Sequence, residues 1–262
     1  MDSSGEADPE SSPAGRLQSI IAGNSLGQIP GKGQPAPQLP LVPQSSKFFP
    51  NGRLQSALLQ SDTVVQGIPC RKGSPIQFYR NGRLQMAELS APLTKQGVTW
   101  PSGTLMFHEN GNIWQGALPS DQPIQGVLCA KGDIWFHDDG SLDMASIPKD
   151  ARIHGIPCSA GKVWFHPKGM IAQATVSKDE LIRGIPCPAG STILFHENGK
   201  MRGATLAWNF KIAGLEVQGG THIWFHKNGR VAEVTLSSPQ VIQGTSFAQG
   251  QVVQFKENGD LK

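Results

Sequence analysis

FHENG, residues Phe107–Gly111, is written a second time at Phe195–Gly199. Near-copies stand at Phe48–Gly52 (FFPNG), Phe78–Gly82 (FYRNG), Phe136–Gly140 (FHDDG), Phe165–Gly169 (FHPKG), Phe225–Gly229 (FHKNG) and Phe255–Gly259 (FKENG). The phenylalanines are spaced 30, 29, 29, 29, 30, 30 and 30 residues apart, giving seven full repeats and the start of an eighth. Two further glycines keep step in each repeat, as Gly155 and Gly161 do after Phe136. Three repeats carry the string GIPC, at Gly67–Cys70, Gly155–Cys158 and Gly184–Cys187. Self-similarity at a fixed period is the mark of a repeat architecture, in which each unit buries its apolar face against its neighbours.

Within a repeat the period is two. Ile134 and Phe136 point one way, Trp135 and His137 the other, which predicts a strand. The Asn-Gly that follows predicts a hairpin turn. A three-residue loop with glycine in the left-handed conformation sets Phe107 opposite Ile113, Phe78 opposite Leu84, Phe195 opposite Met201 and Phe225 opposite Val231. Both apolar positions then share a face, which fixes the register. The three-residue step from Leu84 to Ala87 predicts a bulge in the returning strand. The one-residue variation in repeat length, between the third glycine and the next Phe, also calls for a local bulge. Pro69, Pro157 and Pro186 place a further short segment at an edge or corner.

About thirty residues hold three short strands. The expected fold is therefore all-β: seven tandem hairpin repeats of ~30 residues in an elongated sheet or β-solenoid. The alternative is a seven-bladed, closed, propeller-like ring, whose blades take about 40 residues. The expected domains are 1–47, a flexible Ser/Pro/Gly-rich leader and linker, and 48–262, the repeat domain. Gly15–Ser19 (GRLQS) copies Gly52–Ser56 and reads as a degenerate repeat, or as a partner of the C-terminal fragment in a closed ring.

The string Phe78-Tyr79-Arg80-Asn81-Gly82-Arg83-Leu84 resembles the core of MORN-type repeat variants of bacterial proteins. That resemblance covers about a third of each repeat. It implies antiparallel hairpin arrays and a role as an interaction scaffold.

Composition narrows the partners. Net charge is +3 and charged residues make up 16%, with no Lys/Arg cluster, so nucleic acid is not expected. No run of about 18 apolar residues predicts a membrane helix. Met1–Ser4 lacks the features of a signal peptide. The compartment is left open: cytoplasmic by default, exported if the chain is trimmed. Pro37–Pro43 contains a P-x-x-P and reads as a spacer, with a docking motif for a Pro-binding domain as the alternative.

Cys70, Cys129, Cys158 and Cys187 occupy one repeat position, filled elsewhere by Trp100, Val217 and Phe247. They read as small buried hydrophobes, and no CxxC pair suggests zinc. Gly23–Gly27 matches G-x-S-x-G but lies in the leader, without the strand and helix that motif needs. Glu109, Asp138 and Glu197 are ordinary turn acids. The candidate site is a stripe on the side opposite Phe: Trp135, Trp164 and Trp224, followed one strand step later by His108, His137, His166, His196 and His226, with Trp114 expected to face Met106. A regular aromatic row suits a linear ligand, and equal copies suggest avidity before catalysis. The expected function is a non-enzymatic scaffold binding a protein or polysaccharide, with no cofactor or metal. A carbohydrate-active or cell-envelope β-solenoid enzyme and a structural, self-associating protein are the alternatives.

Overall fold

The structure, a computed structural model, describes residues 39–262. The sequence readings at Gly15–Ser19, at Gly23–Gly27 and in the leader before Leu39 lie outside the described residues. The chain divides into two compact units, one ending at Pro119 and the other running from Ser120 to Lys262. Both are built from β-strands joined by turns.

Each repeat contains four strands, not the three expected. In one repeat a lead strand, Gly132–Phe136, turns into a return strand, Leu142–Ile147, and a small arm hairpin follows, Ala151–Ile153 with Ile156–Cys158. The arm strands are three residues each, too short for a periodicity to be read from sequence. Their turns are two residues long with both residues at positive φ, as at His154 (48°) and Gly155 (80°). That geometry matches the right-handed twist of the two short strands it joins. Arm prolines such as Pro157 face Arg152 in the position between hydrogen-bonded pairs, so no ladder donor is missed within the arm.

The FHxNG turn has the expected form. His108 N–H donates to the Asn112 carbonyl and Gly111 N–H to the His108 carbonyl, closing a three-residue loop with Gly111 at φ 88°. The asparagine has its own job. Its side-chain oxygen accepts the backbone N–H two residues on, at 2.9 Å from Asn112 to Asn110 and likewise at Asn81, Asn198 and Asn228. Asp139 does the same for Ser141 in the FHDDG copy. This side-chain mimic of a turn bond is why Asn and Asp favour such positions. In FHPKG, Lys168 sits at φ 72° after Pro167, so there the glycine is preceded by a second left-handed residue.

The register places Phe107 opposite Ile113, Phe78 opposite Leu84, Phe195 opposite Met201 and Phe225 opposite Val231, as the buried face requires. The return-strand bulge follows immediately. Met106 faces Gln115, not Trp114: the bulge makes Trp114 the extra residue, and the expected Trp114–Met106 pairing is wrong by one position.

Within each unit, each return strand then pairs with the next lead strand. In the first unit the order is Lys47–Phe48, Leu54–Leu58, Pro75–Phe78, Leu84–Leu89, Gly103–Phe107, Ile113–Leu118. The second unit continues in the same manner from Gly132–Phe136 to Val252–Gln254. In neither unit does the last described strand pair with the first, so the open antiparallel sheet is observed and not the closed ring. Residues 39–47 are tied to this sheet: Leu41 bridges to Leu59, and Lys47 pairs with Ser56.

Where a repeat has 30 residues, the extra one makes a bulge at the foot of the lead strand. Gly73 N–H donates to the Leu59 carbonyl while Leu59 N–H donates to Ser74, so two residues oppose one. Gly73, at φ 75°, is the left-handed member. In the shorter repeats Gly103 and Gly161 pair directly with Leu89 and Ile147.

The inner face carries the core: Phe136, Ile134, Leu142, Ala145 and Ile147 are all buried, as are the arm residues Ile153, Ile156 and Cys158. Each large aliphatic side chain so removed from water contributes about 1.5–3 kcal/mol. The second repeat's arm, packed on the third repeat's return strand, shows how closely arm and sheet fit. Trp100 replaces the usual Cys and is fully buried, and Gly116 replaces the usual Ala. A Cβ on Gly116 would lie 2.4 Å from Trp100 Cζ3. The large indole fits only because the facing position has no side chain.

Candidate binding face

The outer face of the sheet carries a cross-strand row. In the second unit its members, strand by strand, are Trp135, Met144, Trp164, Gln173, Leu194, Gly203, Trp224, Glu233 and Gln254. The tryptophans stand on lead strands, which recur about every 9.6 Å: Trp135 and Trp164 are two strands apart, and Trp224 is four strands beyond Trp164, with Leu194 on the lead strand between. The strand period puts them on this face, and the bulge decides which return-strand residue stands between them.

The indoles are half-buried. Met144, though on the outer face, is only 8% exposed, flanked by Trp135 on one strand and Trp164 on the other. Gly203 is buried by Trp224: a Cβ there would lie 2.5 Å from Cε3 and 2.6 Å from Cζ3 of the indole. The Trp224 ring therefore lies against the glycine backbone, and the missing side chain is what lets it lie there. In the first unit the row reads Ser56, Gln77, Met86, Met106 and Gln115, with no aromatic member. Trp114 is 40% exposed, and its ring lies 6.5 Å from that of His108.

The histidines have a different occupation. Nε2 of His137 bonds the Phe165 carbonyl at 2.9 Å, His166 that of Phe195 at 2.9 Å, His196 that of Phe225 at 3.0 Å, and His226 that of Phe255 at 2.9 Å. A carbonyl can only accept, so Nε2 carries the proton in each. Tyr79, which takes the histidine's place in an earlier repeat, donates its hydroxyl to the Phe107 carbonyl at 2.8 Å. Within the second unit the row is a ladder that staples each hairpin to the next.

The bulge that re-aims each return strand sets its extra residue beside the histidine. Asp143 Oδ1 lies 3.5 Å from His137 Nε2. Glu109, Asp138 and Glu197 are exposed on the turns. Among the described residues no three His, Cys, Asp or Glu side chains converge as metal ligands would.

A second staple escaped the sequence reading. Gln66, at the arm turn, donates from Nε2 to the Gly82 carbonyl and accepts the Leu84 N–H on Oε1, at 2.8 and 3.0 Å. Gln125 bridges Gly140 and Leu142 in the same way, and Gln243 bridges Gly259 and Leu261. Gln96 spans both groups of Ile113. His154, Arg183 and Ala213 stand at this position in the three remaining repeats. The repeated Gln-Gly dipeptide was the available signal. Asp62, Asp121, Asp150 and Asp179 add a third staple, each accepting a backbone N–H ten residues on.

The four cysteines are free and buried. Burial pushes each thiol up to about 11, against a weaker opposing bond from a backbone group. They pack as the small hydrophobes expected. Among the described residues no helix is long and apolar enough to cross a membrane. The chain matches no family model and no curated protein.

Proposed function

We propose that this protein is a repeat scaffold that holds a linear polymer or protein partner across the outer row of the second unit, with Trp135, Trp164 and Trp224 as its contacts. The observation that carries this reading is the row itself: three indoles at one register, on three of four successive lead strands, with Leu194 on the fourth. Flat aromatic surface at a fixed pitch offers repeated weak contacts, which a polymer sums by avidity. The histidines enter as support, since each spends its Nε2 proton on a backbone carbonyl. That commitment favours binding over acid–base catalysis, which needs such a proton free to move. The motif likeness to MORN-type repeats points the same way.

The test is a titration of intrinsic tryptophan fluorescence with soluble polysaccharides and peptides, on the wild type and on a Trp135→Ala/Trp164→Ala/Trp224→Ala variant shown by circular dichroism to be folded. Saturable change in the wild type and none in the variant is expected. An identical response in both would place the ligand elsewhere and end this reading.

A further inference from the structure

Building on that reading of the outer row, we infer that its ligand is an uncharged, proline-rich segment in the polyproline II conformation, lying across the strands with one turn of its helix per repeat. Pitch decides between ligand shapes. The lead strands recur about every 9.6 Å, and three of the four from Trp135 to Trp224 carry tryptophan in the row, the fourth carrying Leu194. A polyproline II helix advances about 9.3 Å per turn of three residues and presents every third residue on one side. Over the three intervals from Trp135 through Trp164 and Leu194 to Trp224, the two periods drift apart by about 1 Å.

An extended β-strand ligand fails on parity. Three residues also span about 10 Å, but successive contacts then fall on opposite faces. An α-helix, rising 1.5 Å per residue, brings a residue back to the same face after seven, about 10.5 Å, and the error accumulates to about 3 Å over the same length.

Charge and hydrogen bonding agree with pitch. From Trp135 to Trp224 the row holds Met144, Trp164, Gln173, Leu194 and Gly203, none of them charged, and the first charged member, Glu233, stands beyond Trp224; the stretch between the indoles matches a ligand without charge. A row beside it pairs Ser146 with Lys162, Thr175 with Thr192 and Thr205 with His222, supplying an ammonium and hydroxyls as donors. Proline has a carbonyl to accept and no N–H to donate, so its backbone needs a face rich in donors. Indole N–H groups only donate, and the Gln173 amide and the threonine hydroxyls can. Such a segment is also pre-ordered, so little conformational entropy is lost when it binds.

The experiment titrates the full chain, by calorimetry and tryptophan fluorescence, with synthetic 13-residue peptides of Ala, Ser and Pro. One places proline at every third residue and one at every fourth, and a 7-residue peptide keeps the three-residue spacing. Soluble β-linked oligosaccharides form the last arm. The every-third peptide is expected to bind saturably and at least tenfold more tightly than either of the other two. Trp164→Ala and, as a variant that leaves the indoles in place, Gln173→Glu should each weaken it by tenfold or more. Equal affinity for the two 13-residue spacings overturns the inference, and so does the absence of binding by every peptide. If the oligosaccharides bind the wild type and not the triple tryptophan variant, the occupant is wrong and the ligand face stands. If nothing binds, both readings fall.

Discussion

Replacing His166 by alanine removes the 2.9 Å bond to the Phe195 carbonyl and leaves that part-buried oxygen without its donor. A neutral bond of this kind contributes about 0.5–1.5 kcal/mol, and an unsatisfied acceptor adds to the loss, so about 1.5 kcal/mol is expected. In a unit of this size that lowers Tm by about 3–6 °C. The four ladder histidines of the second unit stand on strands about 9.6 Å apart, far enough for their effects to add. Removing all four would then cost about 6 kcal/mol, a large part of the ~5–15 kcal/mol that holds an ordinary domain folded. His166→Tyr should recover most of the loss, because Tyr79 already makes the same bond from the same position. Urea and thermal unfolding of the alanine and tyrosine variants, followed by circular dichroism, measure this. If His166→Ala unfolds like the wild type, or if tyrosine is no better than alanine, the ladder does not hold the repeats together and the histidines return to the list of ligand contacts.

Three other outcomes follow from the packing. Gly116→Ala should destabilise by about 2–3 kcal/mol through overpacking against Trp100, and Trp100→Cys by about 3–5 kcal/mol through the cavity it leaves. The double variant restores the arrangement of the other repeats and should lose clearly less than the sum, which a double-mutant cycle in urea reads directly. Ala213 stands where other repeats have the bridging glutamine and already shares its positive φ, 50° against 52° at Gln66. Ala213→Gln should therefore stabilise by about 1 kcal/mol by bridging the next turn, measurable as a raised urea midpoint. The buried thiols should resist a disulfide reagent in the native state and react on unfolding. Their folded values are raised to about 11. A raised value means the folded state holds the proton more tightly, so this contribution is complete below the unfolded thiol range and is lost as pH climbs through about 11. Unfolding free energy measured between pH 8 and 11 should fall at the alkaline end, and less steeply in a Cys158→Ala variant.

The hairpins were legible because two independent constraints agreed. A glycine that must be left-handed set the loop length, and the period-two apolar face set the register at Phe107 and Ile113. The bulge was legible too, from the step between Leu84 and Ala87, but its exact residue was not. Moving it by one position exchanged Trp114 for Gln115 opposite Met106. The arms were hidden because three-residue strands carry no measurable period and their turns use Gln66 or Arg183 where Asn is usual. The reason for Gln66 is a partner 16 to 18 residues away, which no local pattern reveals. The Trp and His stripes were found together as alternating outward positions. Their division of labour appeared only with the register, which sets each imidazole against the next hairpin's carbonyl and lays Trp224 on Gly203.

The measurement that tests the central claim most directly is a nitrogen–proton correlation spectrum of the indole N–H groups during titration with a bound ligand from the fluorescence panel. The account predicts that the signals of Trp135, Trp164 and Trp224 shift together with one affinity, while that of the buried Trp100 stays in place. Shifts confined to the exposed Trp114 or Trp208, with the three row signals unmoved, would contradict it.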